Sequence, residues 1–165
     1  MAKLYQVVDG DDKIIGYKQR EDIDYARDIY RIGALWLTNS KGQILIAQRK
    51  LNKDKDPGKW GPAAAGTLEK GETYKSNIYK EAEEEIGLSG VKFKLGPKQY
   101  FHSPRAAHCQ WFLATIDKKQ DEFKLQEDEV ERIDWVSREW LEEDLIKSPD
   151  KYVPSMPDIL KLLHD

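Results

Sequence analysis

The sequence predicts a single α+β domain, a mixed β-sheet with helices packed against it, preceded by an N-terminal β-hairpin extension. Three observations carry this reading. The chain has 165 residues, the span of one domain and enough to bury a sizeable core without disulfide or metal staples. Strand-like and helix-like stretches mix without strict alternation, the pattern of a mixed sheet with helices on it. No repeat, low-complexity tract or long linker divides the chain, so residues 1–165 form one domain with 1–30 as its extension.

The elements follow in order. Apolar residues 4–8 and 14–17 flank Asp9-Gly10-Asp11-Asp12, a hairpin signal with Asp-Gly at the turn. Residues 21–30 carry Ile23, Ala26 and Ile29 at helical spacing, which predicts a short helix. A second hairpin is expected from 32–38 and 43–48 around Asn39-Ser40-Lys41-Gly42. Residues 49–60 form a basic loop broken by Pro57-Gly58, and 62–66 lead as a connection into a turn at Glu69-Lys70-Gly71. A helix is predicted over 73–86, ended by Gly87. Strands are expected at 91–95, 99–102, 108–116 and 132–136, and helices at 138–146 and 158–163.

Composition excludes several functions. With 27 basic against 30 acidic residues, the net charge of −3 lacks the basic footprint of a protein that binds nucleic acid polymers. An anionic ligand therefore needs local Arg or Lys groups, or a bound cation. One cysteine, Cys109, rules out an internal disulfide framework and a Cys-rich zinc module. No apolar run is long enough to span a bilayer, and the polar residues 9–13 follow Met1 too soon for a signal-peptide core. A soluble, cytoplasmic protein is expected, with no membrane partner; a homodimer is left open.

The helix at 73–86 has its charges the wrong way round. Glu81, Glu84 and Glu85 share one face within a turn, while Ile78, Ala82 and Ile86 form an adjacent apolar stripe and Glu83 points to solvent. An exposed acidic face is the plain alternative. Yet carboxylates at a helix C-terminus are disfavoured by about 0.3–1 kcal/mol each, and the pair Glu81/Glu85 adds like-charge repulsion. Lys75 in the first turn is equally misplaced. A divalent cation removes these penalties, and hard Mg²⁺ takes carboxylate oxygens while leaving positions for water and phosphate.

The longer spacing sharpens this. Gly66 is followed after five residues by Glu72, and after seven more by Lys80-Glu81-Ala82-x-Glu84-Glu85-x-Gly87-Leu88. Residues 66–88 resemble the signature of the Nudix hydrolases, G-x5-E-x7-R-E-U-x-E-E-x-G-U with U a bulky aliphatic residue. Seven of its nine specified positions match, Lys80 standing for Arg and Ala82 for the aliphatic residue. The resemblance implies an α/β/α sandwich and a hydrolase of nucleoside diphosphate derivatives that uses Mg²⁺, with Mn²⁺ as substitute. It implies Glu81, Glu84, Glu85 and the Gly66 carbonyl as metal ligands and Glu72 as a supporting carboxylate. Lys80 departs from the family's Arg, whose planar fork orients a catalytic Glu; a catalytically weak nucleotide-binding sensor is therefore the alternative function.

The N-terminal section, residues 125–130 and Asp134-Trp135 are similar to the isopentenyl-diphosphate-isomerase-like branch. Residues 60–66 hold neither the Cys nor the His of true isomerases, so isomerisation is not expected. Candidate general bases are Glu84 and, in an acidic loop, Glu127 or Glu129. Arg49, Lys50, Lys53, Lys55 and Lys59 are candidate phosphate contacts, Arg49 first among them because it closes a strand; Arg105 is another. Trp60 and Tyr100 are candidate stacking residues. Trp111 and Cys109 are read as core, and His102 and His108 as ordinary hydrogen-bonding groups.

Overall fold

A ten-residue strand, β3 (Ile29–Thr38), is the spine of the computed structural model, which describes residues 2–164. Its side chains alternate between two cores, as the period of a strand requires. Leu35 and Leu37 pack with Ile78, Ala82 and Ile86 of helix α1 (Tyr74–Ile86). Ala34 and Trp36 pack instead with Leu141 of α2 (Arg138–Lys147) and with Met156, Ile159 and Leu160 of α3 (Met156–Leu162). Helices thus cover both faces of a mixed sheet, the α/β/α sandwich.

Along its whole length β3 runs parallel to β8 (Ala107–Thr115), from Tyr30↔Ala107 to Thr38↔Thr115. The outer edge of β8 carries β7 (Lys94–Phe101), antiparallel. On its other side β3 pairs with β6 (Ala64–Thr67). Strand β4 (Ile44–Arg49) pairs with β3 only at Thr38↔Ile44, then turns away to pair with β9 (Val130–Val136) and β5 (Trp60–Pro62). The second expected hairpin therefore closes at its turn and then splays, because both edges of β3 are already taken. The gap between β3/β6 and β4/β5 becomes the cleft described below.

Three local expectations are corrected. Residues 21–30 are not a helix: Arg20–Asp22 form a single 3-10 turn, and β3 takes Ile29 and Tyr30. Aspartates compete with the helix here, since Asp24 Oδ1 accepts from Ala26 N at 3.0 Å and Asp28 Oδ2 from Asp24 N at 2.8 Å. Residues 62–66 are not a bare connection but parts of β5 and β6; small residues with weak strand preference are held there by neighbouring strands. Of the stretches 91–95 and 99–102, only Lys94, Leu95 and residues 99–101 are strand, all in β7 with its register shift between Leu95 and Lys98, while 91–93 and His102 lie outside it. Gly96 permits that bulge, because a Cβ there would lie 3.1 Å from the Trp111 carbonyl oxygen.

The predicted end of α1 is as expected. Thr73 caps its start, accepting from Ser76 N at 3.0 Å. Gly87, at φ 67°, ends it with Gly87 N–H donating to the Glu83 carbonyl and Leu88 N–H to that of Ala82. The carbonyls of Glu85 and Ile86 accept from Gln126 and Lys124, which ties the loop before β9 to the acidic end of the helix.

The N-terminal hairpin, β1 (Tyr5–Val8) and β2 (Ile14–Lys18), forms as expected and extends the sheet through β1 on the first residues of β3. It also braces the site. Buried Gln6 donates from Nε2 to the Glu69 and Glu72 carbonyls at 2.9 and 2.8 Å. At the hairpin turn, Asp12 accepts from Arg31 Nε at 2.7 Å, from the Tyr74 hydroxyl at 2.9 Å and from Lys98. Burial alone would push the Asp12 carboxyl up, but Lys98, Arg31 and Tyr74 outweigh it and hold it below the usual 3.8.

Asp12→Asn is therefore expected to cost about 1–3 kcal/mol at pH 7. Asn accepts the left-handed backbone at φ 62°, so the loss reports the charge together with the one acceptor oxygen that the amide lacks. Because the folded-state pKa is depressed, Asp12's contribution is complete above about pH 4 and disappears as pH falls through its folded value. Urea melts from pH 7 to pH 2 should show the gap between wild type and variant closing only in that acidic window.

Candidate active site

The C-terminal half of α1 lies against β6, and contact between them is very close at one point. Were Gly66 given a Cβ, that atom would sit 2.4 Å from Glu81 Cγ and Cδ. Only glycine admits the Glu81 carboxylate over this strand. One turn on, Glu85 Oε1 accepts from Ala65 N–H at 3.1 Å. Glu84 is exposed and faces the same cleft, while Glu83 points away to solvent.

Lys80 answers the question raised by its identity. Its ammonium lies 2.6 Å from Glu69, 2.8 Å from Glu72 and 3.5 Å from Glu81, so one flexible point charge gathers three carboxylates. Glu72 is fixed further, accepting from Glu69 N–H at 2.7 Å and Asn77 Nδ2 at 3.2 Å. These contacts hold Glu72 below the usual range against the upward push of burial, and hold Lys80 above its own. Glu69 is the partner that sequence reasoning missed; no spacing rule marked it.

The remaining carboxylates carry an electrostatic debt. Burial pushes Glu81 up to about 7; the nearby Glu84 and Glu72 charges push the same way, and Lys80 opposes them. Glu85, half-buried, is raised well above the usual range by burial and then by Glu81. Neither Glu84 nor Glu85 forms an ion pair among the described residues. No three acidic, His or Cys side chains among the described residues converge closely enough to form a ready-made ion cage, as mutual repulsion dictates. The donor set nonetheless fits a hard divalent cation: oxygen ligands only, on one helix face, beside a glycine strand that leaves room for them.

Opposite the acidic face stands a cationic one. The cleft, about 330 Å³, is lined on that side by Arg20, Arg49, Lys53, Lys55 and Arg105. Arg49 donates from Nε to the Lys55 carbonyl at 2.9 Å, and Arg105 lies 3.8 Å from Asp56. An apolar compartment of about 210 Å³ adjoins it, formed by Pro62, Phe101, Val153 and Ile159 over the buried Trp111. Arg49, Arg105, Glu85 and Glu129 border both compartments.

Several expected residues are thereby sorted. The structure brings Gly66, Glu81, Glu84, Glu85, Arg49, Arg105 and Glu129 to one cleft, with Lys80 and Glu72 just behind it. Glu129 reaches it but is paired with Lys53 at 2.6 Å, and Glu127 is exposed outside it. Trp60 is not placed to stack a ligand: it lines neither compartment, packs on the α2/α3 core and bridges to Tyr152. Tyr100 also lies elsewhere, between the rings of His102 and His108. Lys50 is drawn away to Glu131 at 3.1 Å. Arg20 is the cleft residue that sequence reasoning missed, hidden in the stretch next to the mistaken helix.

Comparison with known proteins agrees with this geometry. The NUDIX domain family model matches residues 29–160. A Nudix hydrolase of Salmonella typhi, YfcD, is 30% identical over 158 residues, covering 95% of this chain and 80% of that protein. A Nudix hydrolase of Yersinia pestis is 28% identical over 158 residues, covering 95% of this chain and 81% of that protein. Among solved structures, DR0079 from Deinococcus radiodurans superposes with a TM-score of 0.86 over 98% of this chain and 99% of its own, at 18% identity. A C. elegans Ap4A hydrolase superposes at 0.59 over 80% and 93%, at 16% identity. No helix among the described residues is long and apolar enough to cross a membrane. The chain belongs to the Nudix hydrolase family, whose members generally cleave nucleoside diphosphate derivatives with the aid of divalent metal ions.

Proposed function

We propose that this protein is a Mg²⁺-dependent hydrolase of a diphosphate bond in a nucleoside diphosphate derivative or similar phosphometabolite, with Mn²⁺ able to substitute. One observation carries the reading: an acidic helix face and a cluster of arginines and lysines meet across a single cleft. Glu81, Glu84, Glu85 and the Gly66 carbonyl are the groups that would hold the ion. Bound there, it would neutralise phosphate oxygens and lower the pKa of an attacking water.

The chain's own residues do the rest. Arg49 and Arg105, at the junction of the two compartments, would grip the phosphates by charge-assisted hydrogen bonds. The apolar compartment beside them suits the organic group. The water's proton would go to a carboxylate oxygen that the ion leaves free; Glu84 is the candidate, since it faces the cleft with no ion pair among the described residues while Glu129 is engaged by Lys53. Lys80 positions Glu72 and Glu81 from behind, which supports turnover rather than a silent sensor.

The test is phosphate or nucleotide release from nucleoside triphosphates, nucleoside diphosphate sugars, dinucleoside polyphosphates and NADH with Mg²⁺. At least one substrate should turn over, and Glu84→Gln should lower its kcat by about 10²-fold or more. If no substrate reacts faster with wild type than with Glu84→Gln protein, the hydrolase reading fails.

A further inference from the structure

Three cations of the cleft, Arg20, Arg49 and Lys55, form no ion pair among the described residues, and Arg20 comes from outside the matched family segment. Arg20 lies in the N-terminal segment; it donates to the Tyr5 hydroxyl at 3.0 Å and stacks 4.8 Å from that ring. Lys55 donates to the Tyr25 hydroxyl, its ammonium 3.7 Å from the ring centroid. Among the described residues the Arg49 side chain bonds only to a backbone carbonyl. None of the three forms an ion pair with a carboxylate among the described residues, although they share one cavity. Burial, then the Arg105, Arg20 and Arg49 charges, push the Lys55 ammonium down to about 8, with Asp56 opposing them.

We propose that Arg20, Arg49 and Lys55 form a pocket for a free terminal phosphate, so that the substrate is an uncapped nucleoside di- or triphosphate rather than a sugar-capped diphosphate. This rests on the hydrolase reading of the same cleft and adds its substrate class. The chemistry is one of charge. A terminal phosphomonoester carries close to two negative charges at neutral pH, whereas esterification leaves it one. Three cations whose partners among the described residues are all uncharged match the former. Placement agrees, because Arg20 and Lys55 border only the polar compartment, whereas Arg49 also borders the apolar one. The organic group and the terminal phosphate would thus occupy opposite ends. Arg20 gives the N-terminal segment a part in specificity.

The experiment is calorimetric binding, with Mg²⁺, of nucleoside methylene-diphosphonates, which cannot be cleaved, and of their terminal methyl esters. The free forms should bind wild type about tenfold tighter or better. In Arg20→Gln and in Lys55→Gln that preference should shrink to about twofold, with the melting temperature of Arg20→Gln unchanged. Equal affinity of wild type for the two forms, no binding of either, or variants that weaken both forms equally would each overturn the proposal. Turnover separates it from the broader reading. Hydrolysis of capped diphosphates without the preference sinks only the pocket; the preference without any hydrolysis sinks only the hydrolase.

Discussion

Replacing Gly66 by alanine is expected to cut turnover about 10²-fold or more while leaving the protein folded. The new Cβ would fall 2.4 Å from Glu81 Cγ and Cδ and 2.6 Å from Oε1, far inside contact distance. Glu81 is a side chain and can yield, so the sheet need not move. Once displaced, it no longer presents its oxygen beside Glu84 and Glu85, and the Lys80 contact at 3.5 Å is disturbed with it. An unchanged circular dichroism spectrum with a collapsed kcat is the expected pair of results. Full activity in Gly66→Ala would mean that the position of Glu81 over β6 does not matter to the chemistry.

Glu85→Gln should separate stability from function. The amide keeps an acceptor for Ala65 N–H, now at 3.1 Å, and removes a carboxyl whose ionisation burial and Glu81 oppose and which has no ion pair among the described residues. Without metal, the variant should melt at the same temperature as wild type or higher; about 1 kcal/mol corresponds to about 2–4 °C in a chain of this size. With Mg²⁺, wild type should gain stability by mass action, and the variant should gain little. Its kcat should fall about 10²–10⁴-fold, the worth of several kcal/mol of metal-borne stabilisation. A variant that melts lower in chelator and keeps its activity would make Glu85 a structural residue.

Much of this was legible in the sequence because the decisive features are local. The Gly87 terminus of α1 and its three-carboxylate face follow from spacing within one helix. What stayed hidden depends on partners distant in the chain. Residues 62–66 become strand only because β3 and β4 offer them edges, and the 32–48 hairpin splays because β8 and β6 occupy β3. In the stretch 21–30, Asp24 and Asp28 turn the backbone with their own side chains, which helical spacing of Ile23, Ala26 and Ile29 does not reveal. What Lys80 touches was equally hidden: Glu69, whose carbonyl is held by Gln6 from the N-terminal hairpin, joins Glu72 and Glu81 around its ammonium. Arg20 reaches the cleft by the same route, carried there by a segment outside the signature.

The central claim is that Glu81, Glu84 and Glu85 are held in their unfavourable places to receive a divalent cation. Calorimetric titration of the metal-free protein with Mg²⁺ tests it most directly. Saturable binding that is weakened about tenfold or more in Glu85→Gln is the result expected; no saturable heat from wild type, or identical binding by the two proteins, would contradict it.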